Sequence, residues 1–93
     1  MPSIHEPIYI EFITRLRNAR KSIGVTQAKL AERLGELQSY VAKVETCERR
    51  IDIIESARWC IALDIALEDI LPRDLRTALK NVNSEQNEGD KSE

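Results

Sequence analysis

Between Ile8 and Ile23 the apolar residues fall at Ile8, Phe12, Ile13, Leu16, Ala19 and Ile23, the three-and-four spacing of a helix with one buried face. Glu11, Arg15, Arg17 and Lys21 fill the outer face, and Gly24 ends the run. A shorter second helix is predicted from Thr26, a good N-cap, through Ala28, Leu30, Ala31 and Leu34. It stops at Gly35, which can take the left-handed backbone that terminates helices. Two or three residues later a third helix is expected over Gln38-Ser39-Tyr40-Val41-Ala42-Lys43-Val44-Glu45, with Val41 and Val44 inward and Gln38, Ser39, Ala42 and Lys43 outward. Asp52 and Glu55 have the spacing of a capping box, so a fourth helix is expected from Asp52 to about Asp64. Ile65 to Leu71 reads as a connection and a short fifth helix, checked by Pro72. Asp74 to Lys80 adds a further turn or two at most. Residues 81 to 93 carry almost no apolar side chain to offset the entropy of ordering them, and are expected to form a disordered acidic tail.

The pattern is all-α: one five-helix domain over residues 1 to 80, its core between positions 8 and 71. A chain of 93 residues leaves no room for a second domain. The net charge of -2 argues against a polyanionic partner until the tail is set apart. Residues 81 to 93 hold four acidic residues and one lysine, so positions 1 to 80 balance thirteen basic against twelve acidic residues. Affinity for phosphates must therefore come from where Lys and Arg sit, because only a local positive patch displaces counterions.

Other chemistries find little to use. Cys47 and Cys60 form no CxxC and have only His5 as a further soft ligand, so neither a zinc site nor a disulfide framework is expected, and two unpaired thiols fit a reducing compartment. No segment is long and apolar enough for a membrane span, and the first residues do not read as a secretion signal, so a soluble cytoplasmic protein is expected. An enzyme is not: the chain has a single histidine, no glycine-rich phosphate loop, and no serine or cysteine with a plausible base nearby. No cofactor is expected either.

Two short helices joined by a glycine-containing turn are the geometry that lays the second helix in a DNA major groove, although a plain helical hairpin shares the spacing. The specific signal is the run Thr26-Gln27-Ala28-Lys29-Leu30-Ala31-Glu32-Arg33-Leu34-Gly35, then Gln38 to Glu45, then Glu48-Arg49-Arg50-Ile51-Asp52. Over residues 12 to 71 the chain closely resembles the phage lambda repressor and Cro type of helix-turn-helix, the xenobiotic response element (XRE) family of regulators. The resemblance implies a double-stranded DNA partner. It implies that Gln27 touches a phosphate at the start of the second helix, fixing register rather than reading sequence. Gln38 opens the recognition helix, and its amide can pair with both N7 and N6 of adenine, which makes it the first candidate for base readout. Ser39, Ala42 and Lys43 complete that face, with Lys43 reaching either guanine or a phosphate. Tyr40 is open between a DNA contact and packing. Glu45 matches a glutamate that pairs with an arginine at the end of the first helix, here Arg20, clamping the two helices together. Arg49 and Arg50 occupy a loop that supplies phosphate contacts, or else pair with Glu48 or Asp52.

Three departures bear on the pose of the recognition helix. Lys29 stands where a glutamate would complete a capping box. Leu37 replaces a residue able to cap the third helix. Cys47 occupies a position commonly glycine, where a β-carbon strains a left-handed turn.

On the fourth helix Ile53, Trp59, Cys60 and Leu63 align with the family's core stripe. Ile54, Ala57 and Ile61, with Ile65 and Leu67, are left over. They are a candidate two-fold interface for a homodimer on a palindromic operator, or else pack under the first helix. A sequence-specific regulator, repressing or autoregulating, is the expected function. The rival is a DNA-binding antitoxin or accessory module whose main partner is another protein, and a third reading is a protein-interaction bundle without DNA.

Overall fold

The computed structural model describes residues 6–91, with side-chain surroundings as far as Val82. Six helices follow one another: α1 Pro7–Ser22, α2 Gln27–Leu34, α3 Gln38–Glu45, α4 Ile53–Leu63, α5 Leu67–Ile70 and α6 Arg73–Lys91. No strand occurs among the described residues.

Local chemistry accounts for the boundaries. Pro7 opens α1, where its missing amide would have had no helical partner. The Thr26 hydroxyl caps α2 by accepting from the Lys29 amide at 3.1 Å, and Gly35 closes it in the left-handed region at φ 69°. Asp52 accepts from the Glu55 amide at 2.7 Å while the Glu55 carboxylate accepts from the Asp52 amide at 3.3 Å, a complete capping box on α4. α3, like α5, starts without a side-chain cap: Leu37 precedes it in an extended conformation and offers its amides nothing.

Packing follows the apolar stripes. Ile13 and Leu16 of α1, Leu30 of α2, Val41 and Val44 of α3 and Trp59 of α4 are almost wholly buried against one another, each such side chain contributing about 1.5–3 kcal/mol relative to exposure. Ile70 of α5 and Ile51 of the loop between α3 and α4 complete the core. Tyr9, absent from the apolar pattern that predicted α1, belongs to this core, and its hydroxyl accepts from the buried Ile51 amide at 3.1 Å. In that way one phenol satisfies a loop amide that no helix reaches.

Two expectations are corrected. Ile53 is 65 % exposed rather than buried in the core: it shares the face of α4 that carries Ser56, Trp59, Cys60 and Leu63, but as the first residue it stands past the core and lines an open groove with Phe12 and Leu75. The chain beyond Asn81, expected to lack order, is helical to Lys91. Few apolar residues do not by themselves forbid a helix. Between Arg73 and Glu88 there is neither glycine nor proline, and Leu75, Leu79 and Val82 recur at helical spacing, so the turn that begins after Pro72 has nothing to stop it.

Candidate nucleic-acid interface

The core that buries Val41 and Val44 necessarily turns the opposite side of α3 outward. Gln38, Ser39 and Lys43 are exposed there and Ala42 is half-exposed. Among the described residues none of these side chains is held by another part of the chain, so an amide, a hydroxyl and an ammonium point into solvent from one helical face. Because Leu37 supplies no cap, the first amides of α3 are also open to an incoming acceptor.

The far end of α3 is anchored. Arg20 is buried, and its guanidinium grips Glu45 with two parallel bonds, Nε to Oε2 at 2.6 Å and Nη2 to Oε1 at 2.9 Å. The remaining Nη1 donates to the Val25 carbonyl at 2.7 Å, which ties in the turn before α2 as well. Gln27 gives its side-chain amide to Glu45 Oε1 at 2.9 Å. The residue assigned to a phosphate is therefore already committed in part to this clamp, with one amide hydrogen and its backbone N–H left for DNA. Arg17, overlooked in the sequence, stands 3.9 Å from the same carboxylate with its own side chain half-exposed. Its spacing of three from Arg20 on α1 was the available signal.

Tyr40 goes elsewhere than the DNA-contact reading allowed. It is half-buried, its ring tilted against Trp59 at 6.1 Å between centroids. Its hydroxyl accepts from the Trp59 indole at 3.1 Å and donates to Glu55 Oε2 at 2.9 Å, so both functions of the phenol are used inside the protein. Trp59 and the Glu55 carboxylate were not singled out as its partners, since they lie 19 and 15 residues further on and only the fold brings them there. Arg49 does not pair with Glu48 or Asp52. It donates to Glu55 Oε2 at 2.7 Å and lies over the Tyr40 ring at 4.8 Å, and its side chain remains nearly half-exposed. Arg50 lies over the Tyr9 ring at 4.3 Å, exposed on the neighbouring side of the loop. Burial would raise the Glu55 carboxyl, but the bonds from Arg49, Tyr40 and the Asp52 amide outweigh it and hold the group below the ordinary carboxylate range.

Cys47 adopts the left-handed backbone at φ 61°, a conformation that costs a non-glycine residue on the order of 1 kcal/mol. It and Cys60 are buried free thiols whose pKa values burial raises, which suits packing rather than nucleophilic chemistry. Among the described residues no group of three His, Cys, Asp or Glu side chains could hold a metal ion, and no helix is long and apolar enough to cross a membrane.

The five residues expected to form one interface do not share a face. Ile54 and Ile61 stand out on α4, 58 % and 79 % exposed, with Ala57 half-buried beside them. Ile65 turns toward Arg15, Ala19 and Ser22 of α1, and Leu67 lines a separate groove with Phe12, Ile53, Leu71 and Leu75. A continuation of α4 would have kept the stripe together, but Asp64 breaks the helix in the left-handed region at φ 56° and redirects the chain.

A tripod of short helices that buries the inner face of α3 and presents its polar face beside an arginine-bearing loop defines a lambda-repressor-like helix-turn-helix domain. Comparison with known proteins agrees. Residues 16–70 match the helix-turn-helix family HTH_3, and the chain belongs to that family. Among solved structures it is similar to the restriction-modification controller protein C.AhdI from Aeromonas hydrophila, at 32% identity and a TM-score of 0.62 over 67% of this chain and 94% of that one. The clp gene regulator ClgR from C. glutamicum matches at 29% identity and a TM-score of 0.64, covering 70% of this chain and 86% of that one. A hypothetical transcription factor, NHTF from Neisseria, matches at 25% identity and a TM-score of 0.66, covering 85% of this chain and 91% of that one. No curated protein sequence matches. The chain is a DNA-binding transcription regulator of the XRE type rather than an enzyme.

Proposed function

We propose that the protein binds duplex DNA sequence-specifically as a homodimer on a palindromic operator and represses or autoregulates transcription in the cytoplasm. The observation that carries this reading is the outward face of α3, where Gln38, Ser39 and Lys43 are exposed while the two ends of the helix are fastened to the body. Gln38 reads a base, Lys43 takes a guanine or a phosphate, and Arg49 and Arg50 flank the groove on phosphates. Gln27 and the free amides of α2 and α3 set register against the backbone. Two copies related by a two-fold axis would place their recognition helices about 34 Å apart.

For the dimer surface, the apolar groove of Phe12, Ile53, Leu67, Leu71 and Leu75 is one candidate, and α6 adds the exposed Leu79 and Val82 at helical spacing from Leu75, against Ile54 and Ile61 on α4. The same unpartnered face favours, as a second reading, an accessory module whose α6 holds another protein. Equilibrium sedimentation of the purified chain separates them: a dimer supports the first reading, and a monomer the second.

The test of base readout is selection of binding sites from random duplexes, followed by Gln38→Ala. The substitution is expected to weaken the selected duplex by roughly 1–3 kcal/mol and to relax preference at one base pair, whereas an equal loss on random DNA contradicts readout. Affinity should also fall steeply with salt, with a slope near -0.9 per phosphate contact.

A further inference from the structure

We infer that Tyr40 is a positioning residue for DNA recognition: through its hydroxyl it holds the reading end of α3 to α4. The inference rests on the reading that α3 faces DNA and names a residue behind that face on which the readout depends.

α3 is eight residues long and carries its candidate base-reading groups, Gln38 and Ser39, in its first turn. Burial of Val41 and Val44 fixes how deep the helix lies, but dispersion contacts are not directional and set its roll and slide poorly. Directional bonds set those. At the C-terminal end the Arg20 and Gln27 bonds to Glu45 do so. At the N-terminal end Leu37 is 75 % exposed and caps nothing. The side-chain bonds that tie this end to the rest of the body are those of Tyr40, one turn in. The Trp59 indole, on a residue that is itself fully buried, donates to the phenol, and the phenol donates to Glu55, which the capping box fixes at the start of α4. Each member of the chain is held by the next, so the Tyr40 oxygen has one position. Arg49 completes the device: the carboxylate that receives Tyr40 also receives Arg49, whose guanidinium rests on the Tyr40 ring. The base-reading turn and a candidate phosphate contact are thereby referenced to a single carboxylate. Misplacing a reading group by a fraction of an ångström degrades a bidentate contact to a base far more than a contact to a phosphate, so this arrangement governs selectivity ahead of total affinity.

Tyr40→Phe tests it, since the ring keeps its packing on Trp59 and under Arg49 while the hydroxyl alone is removed. Hydrogen exchange is measured on the DNA-free variant, and affinity on two probes at one salt concentration, a duplex enriched by the wild-type chain from random sequences and a random duplex of equal length. The expected results are faster exchange at the α3 amides of Ala42 and Lys43 with α1 amides unchanged, and a selected-to-random affinity ratio about tenfold lower. Glu55→Gln is made alone and combined with Tyr40→Phe. If the hydroxyl acts through Glu55, the double variant loses less selectivity than the two single losses multiplied. Exchange that is unchanged or rises uniformly over the protein overturns the inference, as does an equal loss on both probes or a multiplicative double variant. If the wild-type chain enriches no sequence, base readout itself fails, and the exchange comparison alone decides whether Tyr40 holds the helix.

Discussion

α3 and the first half of α6 are both amphipathic helices, yet they offer opposite faces to water. α3 buries Val41 and Val44 and exposes an amide, a hydroxyl and an ammonium. α6 leaves Leu75, Leu79 and Val82 between 43% and 49% exposed. Water solvates the first face without penalty, so α3 stands finished in the free chain. On the second, each exposed leucine forgoes part of the roughly 1.5–3 kcal/mol that full burial provides. The contrast separates two kinds of incompleteness. A polar face fastened at both ends is ready for a charged, hydrated partner, whereas an apolar stripe extending past the core is matched to another protein surface.

The comparison breaks most severely at Glu45. Replacing it by Ala strips the buried Arg20 guanidinium of its counter-charge, with an expected cost of about 3–5 kcal/mol in denaturant unfolding. A loss below about 1 kcal/mol would mean that the clamp adds little to the hold that the valines and Tyr40 already have on α3. On the other side, Leu79→Glu should leave the unfolding midpoint of the dilute chain unchanged while weakening self-association by about 2 kcal/mol in sedimentation. If instead Ile61→Glu produces monomers and Leu79→Glu does not, the outer face of α4 is the interface. The smallest effect is on pH. Glu55 has a folded value below its ordinary 4.5, so its ionised form adds stability that is fully present above that value and is lost as pH falls through the folded one. Thermal melts taken from about pH 6 down to 3 should show this limb in the wild type and a shallower one in Glu55→Gln.

The sequence pattern contained most of the body of the fold, since the positions that end or start its helices act locally: Thr26, Gly35, Asp52 with Glu55, and Pro72. It failed where the deciding term is remote or absent. Ile53 fits the apolar stripe of α4, but as the first residue of the helix it stands past the core that covers the rest of that stripe. The helical course of α6 past Asn81 has little apolar signal, and an absence of breakers up to Glu88 is a weaker cue than the apolar stripes of the other helices. At the site, the outward residues of α3 followed from periodicity, and Glu45 with Arg20 came from family likeness. The Tyr40, Trp59 and Glu55 network had no local signature at all, because three side chains from two helices meet only after the core has formed.

Arg20 carries a last consequence. By bonding Glu45 and the Val25 carbonyl at once, it joins the end of α1, the turn before α2 and the end of α3 at a single planar group. The loss of freedom needed to hold these pieces in register is incurred when the chain folds, not when it meets an operator. Association should therefore be limited by how fast the head finds its site, with little rearrangement once it arrives.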